Sequence, residues 1–339
     1  NLSFFGLSLK NDVVPLMNGA PCDKDICSEI SSLGDNYFFN VTEFTNYSIS
    51  NESDAVHEGC NTPDFNGVTW KFTTADCIKS HKSIRRKKGS EMLILNGSKT
   101  NFTNSTLIVG SLHVHPGGEL NFIRGENTVY HNNNWTIEGN VSSNELHIMN
   151  GTYDGEVNII VESGGNLTLY DGANITNGDN VSANFNIIVR FRGLLSITDS
   201  QISNSGWDNE VGKRGLEINT TNVTFNNVTI KDSFIGVTIY SDNISITNST
   251  FKNWTQGGIF LRESNNNIID NNLLNGSSNG IDADITNNLT ISNNRLIASD
   301  SQGIRIADET IVETYGTSNL TISNNELIGV WPTIRLDYE

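Results

Sequence analysis

The chain has 339 residues, of which 36% are hydrophobic and 17% are charged, and its formal net charge is −17. The acidic balance argues against nucleic acid as a partner, because a negative surface repels phosphate backbones. The sequence contains no run of about 20 apolar residues, so we predict no membrane span in this chain. Asn, Ser, Thr and Gly are abundant, which is typical of short strands and turns rather than helices.

The N-terminus carries a short pattern of alternating apolar residues, Leu2, Phe4, Leu7 and Leu9. This pattern predicts a strand. The strand either pairs within its own domain or adds to the sheet edge of a neighbouring subunit. The first residue is Asn1 and not Met, and no signal peptide opens the sequence, so we expect a processed chain.

Four cysteines lie within the first 77 residues, and no cysteine follows them. Their even number and clustering predict two disulfides in a small N-terminal β domain, residues 1–90. We pair Cys22 with Cys27 and Cys60 with Cys77, although three pairings are possible. Free thiols or a zinc site are the alternatives, and zinc is disfavoured because only Cys22 and Cys27 are close in sequence.

Solenoid character begins near residue 91. The segments Leu107–Phe122 and Ile159–Leu169 each consist of a strand, a Gly turn and a second strand, and Ser203–Arg214 is predicted to be a loop. We therefore predict irregular coils over 91–215.

Two histidines flank Val114 in this region. His113 and His115 share one strand face, with His131 expected on the next coil. Two histidines at i and i+2 are able to bind a metal. Exposed polar residues on a strand are commoner, so we predict no metal site.

Residues 216–339 repeat. Repeats start at Leu216, Val237, Ile259, Ile281, Ile304 and Ile334, and four of the five steps are 21 to 23 residues. The fifth step is 30 because it contains eight extra residues, Ile311–Ser318. A fixed period near 22 with strand-type composition predicts a β-solenoid.

Each repeat contains three sets of equivalent positions. The opening strand carries an apolar pair expected to point inward, namely Val237/Ile239, Ile259/Leu261, Ile281/Ala283, Ile304/Ile306 and Ile334/Leu336. The following segment is apolar at its fourth position (Phe225, Ile246, Ile269, Ile291, Ile322) and at its ninth (Ile230, Phe251, Leu274, Leu296, Leu327). Its sixth position is always Asn, at Asn227, Asn248, Asn271, Asn293 and Asn324.

This pattern resembles the right-handed parallel β-helix repeat of the pectate-lyase-like superfamily, and the Asn-rich, adhesin-like surface glycoproteins of archaea and bacteria that are built from it. The resemblance covers 216–339 clearly and 92–215 loosely, where Asp199 stands at the Asn position. It implies three short strands per coil, about ten coils, and an inward-pointing Asn ladder. A buried amide both donates and accepts hydrogen bonds, which satisfies the coils above and below it. We therefore predict an all-β fold, a right-handed parallel β-helix over 91–339 after the N-terminal domain.

The sequence contains 22 Asn-X-Ser/Thr sequons. Together with the cysteines they predict an extracellular or cell-surface glycoprotein. Asn227 and Asn248 are sequon residues in the ladder, so we expect them to be buried and unglycosylated. The first position of the second segment is expected to be exposed, as a glycan column of Asn222, Asn243, Asn288 and Asn319. The full set of predicted glycosylation sites is Asn46, Asn51, Asn96, Asn134, Asn166, Asn222, Asn243, Asn253, Asn275, Asn288 and Asn319.

One outward cluster is a candidate for chemistry. Stacking brings together Arg262, Asp282, Asp284 and Arg305, and several relatives of the fold cleave acidic polysaccharides with basic and Ca²⁺-binding acidic residues. A cross-strand salt-bridge ladder explains the same four residues, and we favour it because no Lys or aromatic groove accompanies them. We therefore predict no catalytic residue and no cofactor, with Ca²⁺ as the one possible ion.

The predicted function is that of an extracellular structural glycoprotein, a self-assembling subunit of a surface layer, sheath or filament in an archaeal envelope. Its expected partners are attached glycans and copies of itself, bound through the N-terminal strand and the β-helix ends. No amphipathic cap follows Trp331, so we expect either further chain or another subunit there. The alternatives are a β-helix polysaccharide lyase or hydrolase and a carbohydrate-binding adhesin stalk.

Overall fold

A computed structural model of the chain describes its strands before residue 59 and most of the chain after residue 68. The described residues beyond 68 are 69–73, 77–80, 83–85, 91–123, 127–131, 133–144, 146–150, 156–176, 184–298, 302–308, 318–329 and 333–338. The regular secondary structure of these residues consists of β-strands alone. The part that the structure describes therefore holds no helix long and apolar enough to cross a membrane.

The strands are short and follow one another closely. The first group is β1 (Leu2–Phe4), β2 (Val13–Met17), β3 (Ala20–Pro21), β4 (Cys27–Leu33), β5 (Asn36–Val41), β6 (Tyr47–Asn51), β7 (Val56–Glu58), β8 (Thr69–Phe72), β9 (Cys77–Ser80), β10 (Ser83–Arg85), β11 (Glu91–Ile94), β12 (Lys99–Thr103), β13 (Thr106–Val109), β14 (Ser111–Val114), β15 (Glu119–Phe122), β16 (Asn127–His131), β17 (Trp135–Ile137), β18 (Asn140–Asn144), β19 (Leu146–Asn150) and β20 (Glu156–Val161). The second group is β21 (Asn166–Tyr170), β22 (Asn174–Thr176), β23 (Asn184–Val189), β24 (Leu194–Thr198), β25 (Gln201–Ser203), β26 (Gly215–Ile218), β27 (Val223–Asn226), β28 (Thr229–Lys231), β29 (Ile235–Ile239), β30 (Ser245–Thr247), β31 (Thr250–Lys252), β32 (Gly257–Arg262), β33 (Ile268–Asp270), β34 (Leu273–Gly276), β35 (Asn279–Asp284), β36 (Thr290–Ser292), β37 (Arg295–Ala298), β38 (Ile304–Asp308), β39 (Thr321–Ser323), β40 (Glu326–Ile328) and β41 (Ile334–Tyr338).

Three long parallel sheets run along the molecule. From β8 onward every third strand belongs to sheet 1, from β9 to sheet 2 and from β10 to sheet 3; β7 also joins sheet 1. Sheet 1 has 13 strands, and sheets 2 and 3 have 11 each. One strand from each sheet makes a coil, so eleven complete coils stack from β8–β10 to β38–β40. The prediction of an all-β parallel β-helix is confirmed.

The apolar positions of the repeat form one continuous core. The predicted inward pairs from Val237/Ile239 to Ile304/Ile306 are at most 1% exposed. Phe225 and Phe251 stack in adjacent coils with ring centroids 6.3 Å apart. Ile334 and Leu336 are 41% and 50% exposed, because no further coil stacks on β41 in the part that the structure describes.

The sixth-position asparagines are not buried, so the predicted inward ladder is wrong at these positions. Their backbones are left-handed, with φ of 52° to 55°, and their side chains are exposed (Asn227, Asn248, Asn271, Asn293, Asn324). Asp199, one coil earlier, has φ 50°. Asn and Asp tolerate this conformation better than other side chains, because a short polar group bonds locally. The exposed column still connects coils, since Asn271 Nδ2 donates to Asn248 Oδ1 at 2.7 Å.

The buried ladder lies one residue further along. Asn272 and Asn294 are 2% and 1% exposed, and Asn325 continues the column. Asn294 Nδ2 donates to Ile269 O at 2.9 Å and to Asn325 Oδ1 at 3.0 Å. Ser249 occupies the same place one coil before Asn272, and its backbone N–H donates to Asn272 Oδ1 at 2.8 Å. The second Asn of each Asn-Asn pair is therefore the buried amide that satisfies backbone groups of the neighbouring coils.

The β-helix extends upstream of residue 91. β8 pairs in parallel with β11, β9 with β12 and β10 with β13. Trp70 and Phe72 belong to the same core. The first coil therefore lies within the segment 1–90, and a separate N-terminal domain stays a prediction for the residues before it.

The N-terminal strand pairs inside the chain. β1 is antiparallel to β5 and lies at the edge of the sheet β1–β5–β4. Cys77 is the cysteine whose side chain the structure describes; it is buried and disulfide-bonded. The pairings of Cys22 with Cys27 and of Cys60 with Cys77 lie outside the described side chains and stay predictions.

Candidate functional site on the outward face of sheet 1

The outward face of sheet 1 carries two parallel columns of side chains. The inner column follows the strand register and runs Leu93, His113, Thr136, Ile160, Ile188, Glu217, Thr238, Phe260, Asp282, Arg305 and Arg335. The rim column lies two residues further along each strand, and its members include His115, Glu138, Glu162, Arg190, Tyr240, Arg262 and Asp284.

The predicted cluster of Arg262, Asp282, Asp284 and Arg305 is brought together by this register. Asp282 Oδ1 is 3.3 Å from a guanidinium nitrogen of Arg262 and 3.3 Å from one of Arg305. Arg262 also lies 3.5 Å from Asp284 Oδ2. The carboxylate of Asp282 is therefore held between two guanidinium groups from the coils on either side. The arrangement is that of the cross-strand salt-bridge ladder.

The ladder continues into the last described coil. Arg305 Nε donates to Asp337 Oδ2 at 3.0 Å, and Arg335 Nε donates to Asp337 Oδ1. The hydrogen bond from Arg335 lowers the pKa of Asp337 below its usual value, and Arg305 adds to this shift. Asp337 was not part of the predicted cluster, although the outward alternation of β41 points to it.

A cleft of about 910 Å³ opens on the same face next to this cluster. Its lining includes three arginines, two aromatic residues and two glutamates, namely Arg190, Arg214, Arg262, Phe191, Tyr240, Glu217 and Glu263. The expectation that no aromatic groove accompanies the cluster is therefore wrong, because Phe191 and Tyr240 line a cleft that Arg262 also lines. Phe191 and Val211 are 65% and 67% exposed at its rim. Three guanidinium groups and the exposed ring of Phe191 form a surface suited to anionic, ring-shaped ligands.

The predicted loop between Ser203 and Arg214 forms one wall of the cleft. Glu217 lies beneath it at 3% exposure, and its Oε1 accepts hydrogen bonds from the backbone nitrogens of Gly212 at 2.7 Å and Arg214 at 3.1 Å. Burial raises the pKa of Glu217, against the lowering effect of these hydrogen bonds. Glu217 is therefore an anchor for the loop. Sequence reasoning missed it, because its contacts are with a loop of no repeating pattern.

Arg214 connects the loop to the rim column. Its guanidinium donates to Tyr240 Oη and to Asn209 O, the latter at 2.8 Å. Burial raises the pKa of Tyr240, while the charge of Arg214 opposes the shift. The loop wall is thus held in place by backbone and side-chain contacts on both sides.

The two predicted histidines acquire a third neighbour. His113 Nε2 lies 2.7 Å from Glu138 Oε2, and His115 Nδ1 lies 4.0 Å from the same oxygen. The two rings stack with centroids 3.9 Å apart. Burial and then the neighbouring His113 lower the pKa of His115. His131 belongs to β16 in sheet 3 of the same coil as His113, so its expected place on the next coil is wrong.

The sequon asparagines of the predicted glycan column are all exposed, at Asn222, Asn243, Asn288 and Asn319. Three of them have left-handed backbones (Asn243, Asn288, Asn319), and Asn319 Nδ2 donates to Asn288 Oδ1 at 2.9 Å. Asn96, Asn134, Asn253 and Asn275 are exposed as well, and Asn166 is half-buried. Asn46 lies outside the described residues, as does the side chain of Asn51. Asn227 and Asn248 are exposed, so burial gives no reason for them to be bare.

Comparison with known proteins finds a partial match to one family of repeats. Residues 185–333, less than half of the chain, match the family described as "Right handed beta helix region". The search of curated proteins gave no match. Among solved structures, the A-module of a mannuronan C-5 epimerase from Azotobacter vinelandii is similar at 12% identity and a TM-score of 0.36, over 84% of this chain and 87% of that one. The parallel stacking of three sheets, together with the match over residues 185–333, supports a right-handed β-helix fold.

Proposed function

We propose that the chain is an extracellular structural glycoprotein that assembles with its own copies into a surface layer, sheath or filament. The observation that carries this proposal is the exposed sequon column, Asn222, Asn243, Asn288 and Asn319, on the flank of a β-helix with one continuous core. Sugars attached along this flank would cover the turns that precede the strands of sheet 2. The abundance of sequons and the resemblance to Asn-rich surface proteins favour an archaeal envelope.

The exposed column is chemically compatible with glycosylation. An N-linked glycan replaces one of the two amide hydrogens of Asn, and the other hydrogen remains a donor. Asn288 Nδ2 donates to Asn266 Oδ1 at 2.8 Å, and this bond is able to persist in the glycosylated chain. Self-association is proposed to use exposed strand edges, among them the outer edge of β1 in its sheet.

A non-enzymatic function is consistent with the Arg–Asp cluster. Asp282 contacts two arginines, and Asp337 contacts two as well. These pairings account for the charges without a substrate. The enzymatic alternative predicts turnover of an acidic polysaccharide that disappears in Arg262→Ala and Asp284→Ala variants.

Glycopeptide mass mapping of the native protein, with electron microscopy of the same material, tests the proposal. We expect sugar on Asn222, Asn243, Asn288 and Asn319, and ordered filaments or lattices. Native protein that is monodisperse, with these four asparagines bare, would overturn it.

A second candidate function is the binding of an acidic glycan, and the cleft beside Phe191 favours it. Arg190, Arg214 and Arg262 line this cleft, and Phe191 supplies an exposed ring. Arg190 and Arg262 also pair with Glu162 and Asp282, so an acidic ligand would have to share these two guanidinium groups. We expect a polyuronate to bind with an affinity that falls at least tenfold in Arg190→Ala and in Phe191→Ala. The matched control is Arg295→Ala, an exposed arginine of sheet 3 that pairs with Glu326 at 2.9 Å. Equal binding by all these proteins would exclude the cleft.

A further inference from the structure

We propose that His113, His115 and Glu138 form a binding site for a divalent transition-metal ion of the Zn²⁺ type. This site is separate from the glycan column and the cleft, and nothing in the proposed function requires it. It lies on the same outward face of sheet 1, in the third and fourth complete coils.

The strand register places the three donors together. His113 and His115 lie on either side of the fully buried Val114, so both project outward from β14 and its end. Val114 pairs with Ile137, which puts Glu138 opposite His115 on the next coil. The convergence is thus fixed by backbone pairing and by the two-residue spacing of a strand.

The distances suit one small ion. The three potential ligand atoms all lie within 4.8 Å of one another, and the two histidines lie 2.7 Å and 4.0 Å from Glu138 Oε2. Tetrahedral ligands at about 2.0–2.2 Å from Zn²⁺ are about 3.3–3.6 Å apart. Small rotations of the imidazole rings, which are 28% and 33% exposed, are enough to reach this spacing.

The backbone that carries the donors is closely packed. Gly139 follows Glu138, and a Cβ there would lie 2.4 Å from the carbonyl oxygens of both His115 and Gly118. Gly139 N donates to Val114 O at 2.9 Å. The main chain of the two coils is therefore in contact next to His115 and Glu138, so only side chains need to adjust when an ion binds.

The donor set selects the kind of ion. Two imidazole nitrogens and one carboxylate oxygen favour Zn²⁺, Ni²⁺ or Cu²⁺, whereas Ca²⁺ and Mg²⁺ prefer oxygen ligands alone. The hydrogen bond between His113 and Glu138 accounts for two of the three residues but not for the position of His115 near the same oxygen. Three protein ligands leave at least one coordination position open to water.

Calorimetric titration with ZnCl₂ of the full, tag-free and chelator-treated chain tests the site. We expect one saturable site per chain, and a loss of affinity of at least tenfold in His113→Ala, His115→Ala and Glu138→Gln. The matched control is Glu162→Gln, because Glu162 occupies the place of Glu138 one coil further on and pairs with Arg190 at 3.2 Å. This variant is expected to bind Zn²⁺ as the unchanged chain does.

A spectroscopic measurement on the unchanged chain tests the same site without relying on the folding of any variant. Cu²⁺ bound to the unchanged chain is expected to show hyperfine coupling to two imidazole nitrogens in electron paramagnetic resonance. Absence of saturable Zn²⁺ binding, or a folded His115→Ala variant that binds with unchanged affinity, would overturn the proposal. A Cu²⁺ spectrum without nitrogen coupling would do the same.

Discussion

Asn294 accepts two hydrogen bonds from Asn272, the equivalent residue one coil earlier. Asn294 Oδ1 lies 2.9 Å from the backbone nitrogen of Asn272 and 3.0 Å from its Nδ2. Both side chains are buried. Each Asn thus satisfies the turn of its neighbour where water has no access, and the coils are connected through the core side of the turn.

The buried ladder is expected to contribute strongly to stability. Asn272→Ala removes the acceptor of the Ser249 backbone N–H and the donor to Ile246 O, which lie 2.8 Å and 2.9 Å from the Asn272 side chain. Leaving these buried groups without partners is expected to lower the free energy of unfolding by about 2–4 kcal/mol. Urea unfolding followed by circular dichroism measures this. The neighbouring Asn271→Gly variant is the control, because Asn271 is exposed and Gly accepts its φ of 54°. Equal losses in the two variants would contradict the assignment of the ladder to Asn272.

In the exposed Asn column, the stability of a variant is expected to depend on whether its new residue accepts the left-handed backbone. Asn293 has φ 55°, so Asn293→Val places a branched side chain in the left-handed region and is expected to cost about 1–2 kcal/mol. Asn293→Gly is expected to remain within about 0.5 kcal/mol of the unchanged protein, since Gly adopts this conformation freely. Thermal and urea midpoints of the two variants measure the difference. A Val variant as stable as the Gly variant would show that the column is not selected by its φ.

These two columns show how far the sequence determines the fold. The 22-residue period predicts parallel coils and the inward apolar positions, because burial alternates along a strand. Asn271 and Asn272 are chemically identical, however, and which of them points inward depends on the left-handed turn between two strands. The invariant Asn or Asp at the sixth position is the signal for that turn, because these residues favour the left-handed conformation, and the sequence prediction took the same residues for the buried column.

The outward face was predictable where the repeat is regular. The alternation that places Val237 inward also places Arg262 and Asp282 outward, and their contact follows from parallel stacking. Glu138 and Arg214 were not predictable in this way. Glu138 meets His113 through the register of irregular coils, and Arg214 belongs to a loop whose path depends on Glu217. The first contact depends on the pairing of strands that lack a regular repeat, and the second on loop geometry.

Glu217 is expected to make stability depend on pH. Burial raises the pKa of Glu217 in the folded chain above its ordinary value, so between the two pKa values the folded state binds more protons than the unfolded state. Stability therefore falls as the pH rises through this window and is fully present below it. Glu217→Gln keeps a side-chain oxygen for Gly212 and Arg214, and it is expected to remove this part of the slope. Urea midpoints of both proteins from about pH 4 to 8, the range in which a carboxyl group with a raised pKa titrates, measure this slope. An identical pH profile for both proteins would contradict the assignment.

Asp282 is expected to be the most costly charge to remove from the outward face. It is 3% exposed and holds Arg262 and Arg305, whose side chains keep 24% and 19% of their exposure. Asp282→Ala leaves two guanidinium groups close together without the shared carboxylate, and we expect a loss of about 2–4 kcal/mol, below that of a fully buried pair because both arginines reach solvent. The control is Glu326→Ala, which breaks the exposed pair with Arg295 and is expected to cost less than about 1 kcal/mol. Urea unfolding at low and high NaCl separates the two, since salt screens the exposed pair more strongly. If Asp282→Ala lowers the free energy of unfolding as little as Glu326→Ala does, and with the same dependence on salt, the prediction is contradicted. The cluster would then contribute no more to stability than an ordinary surface pair.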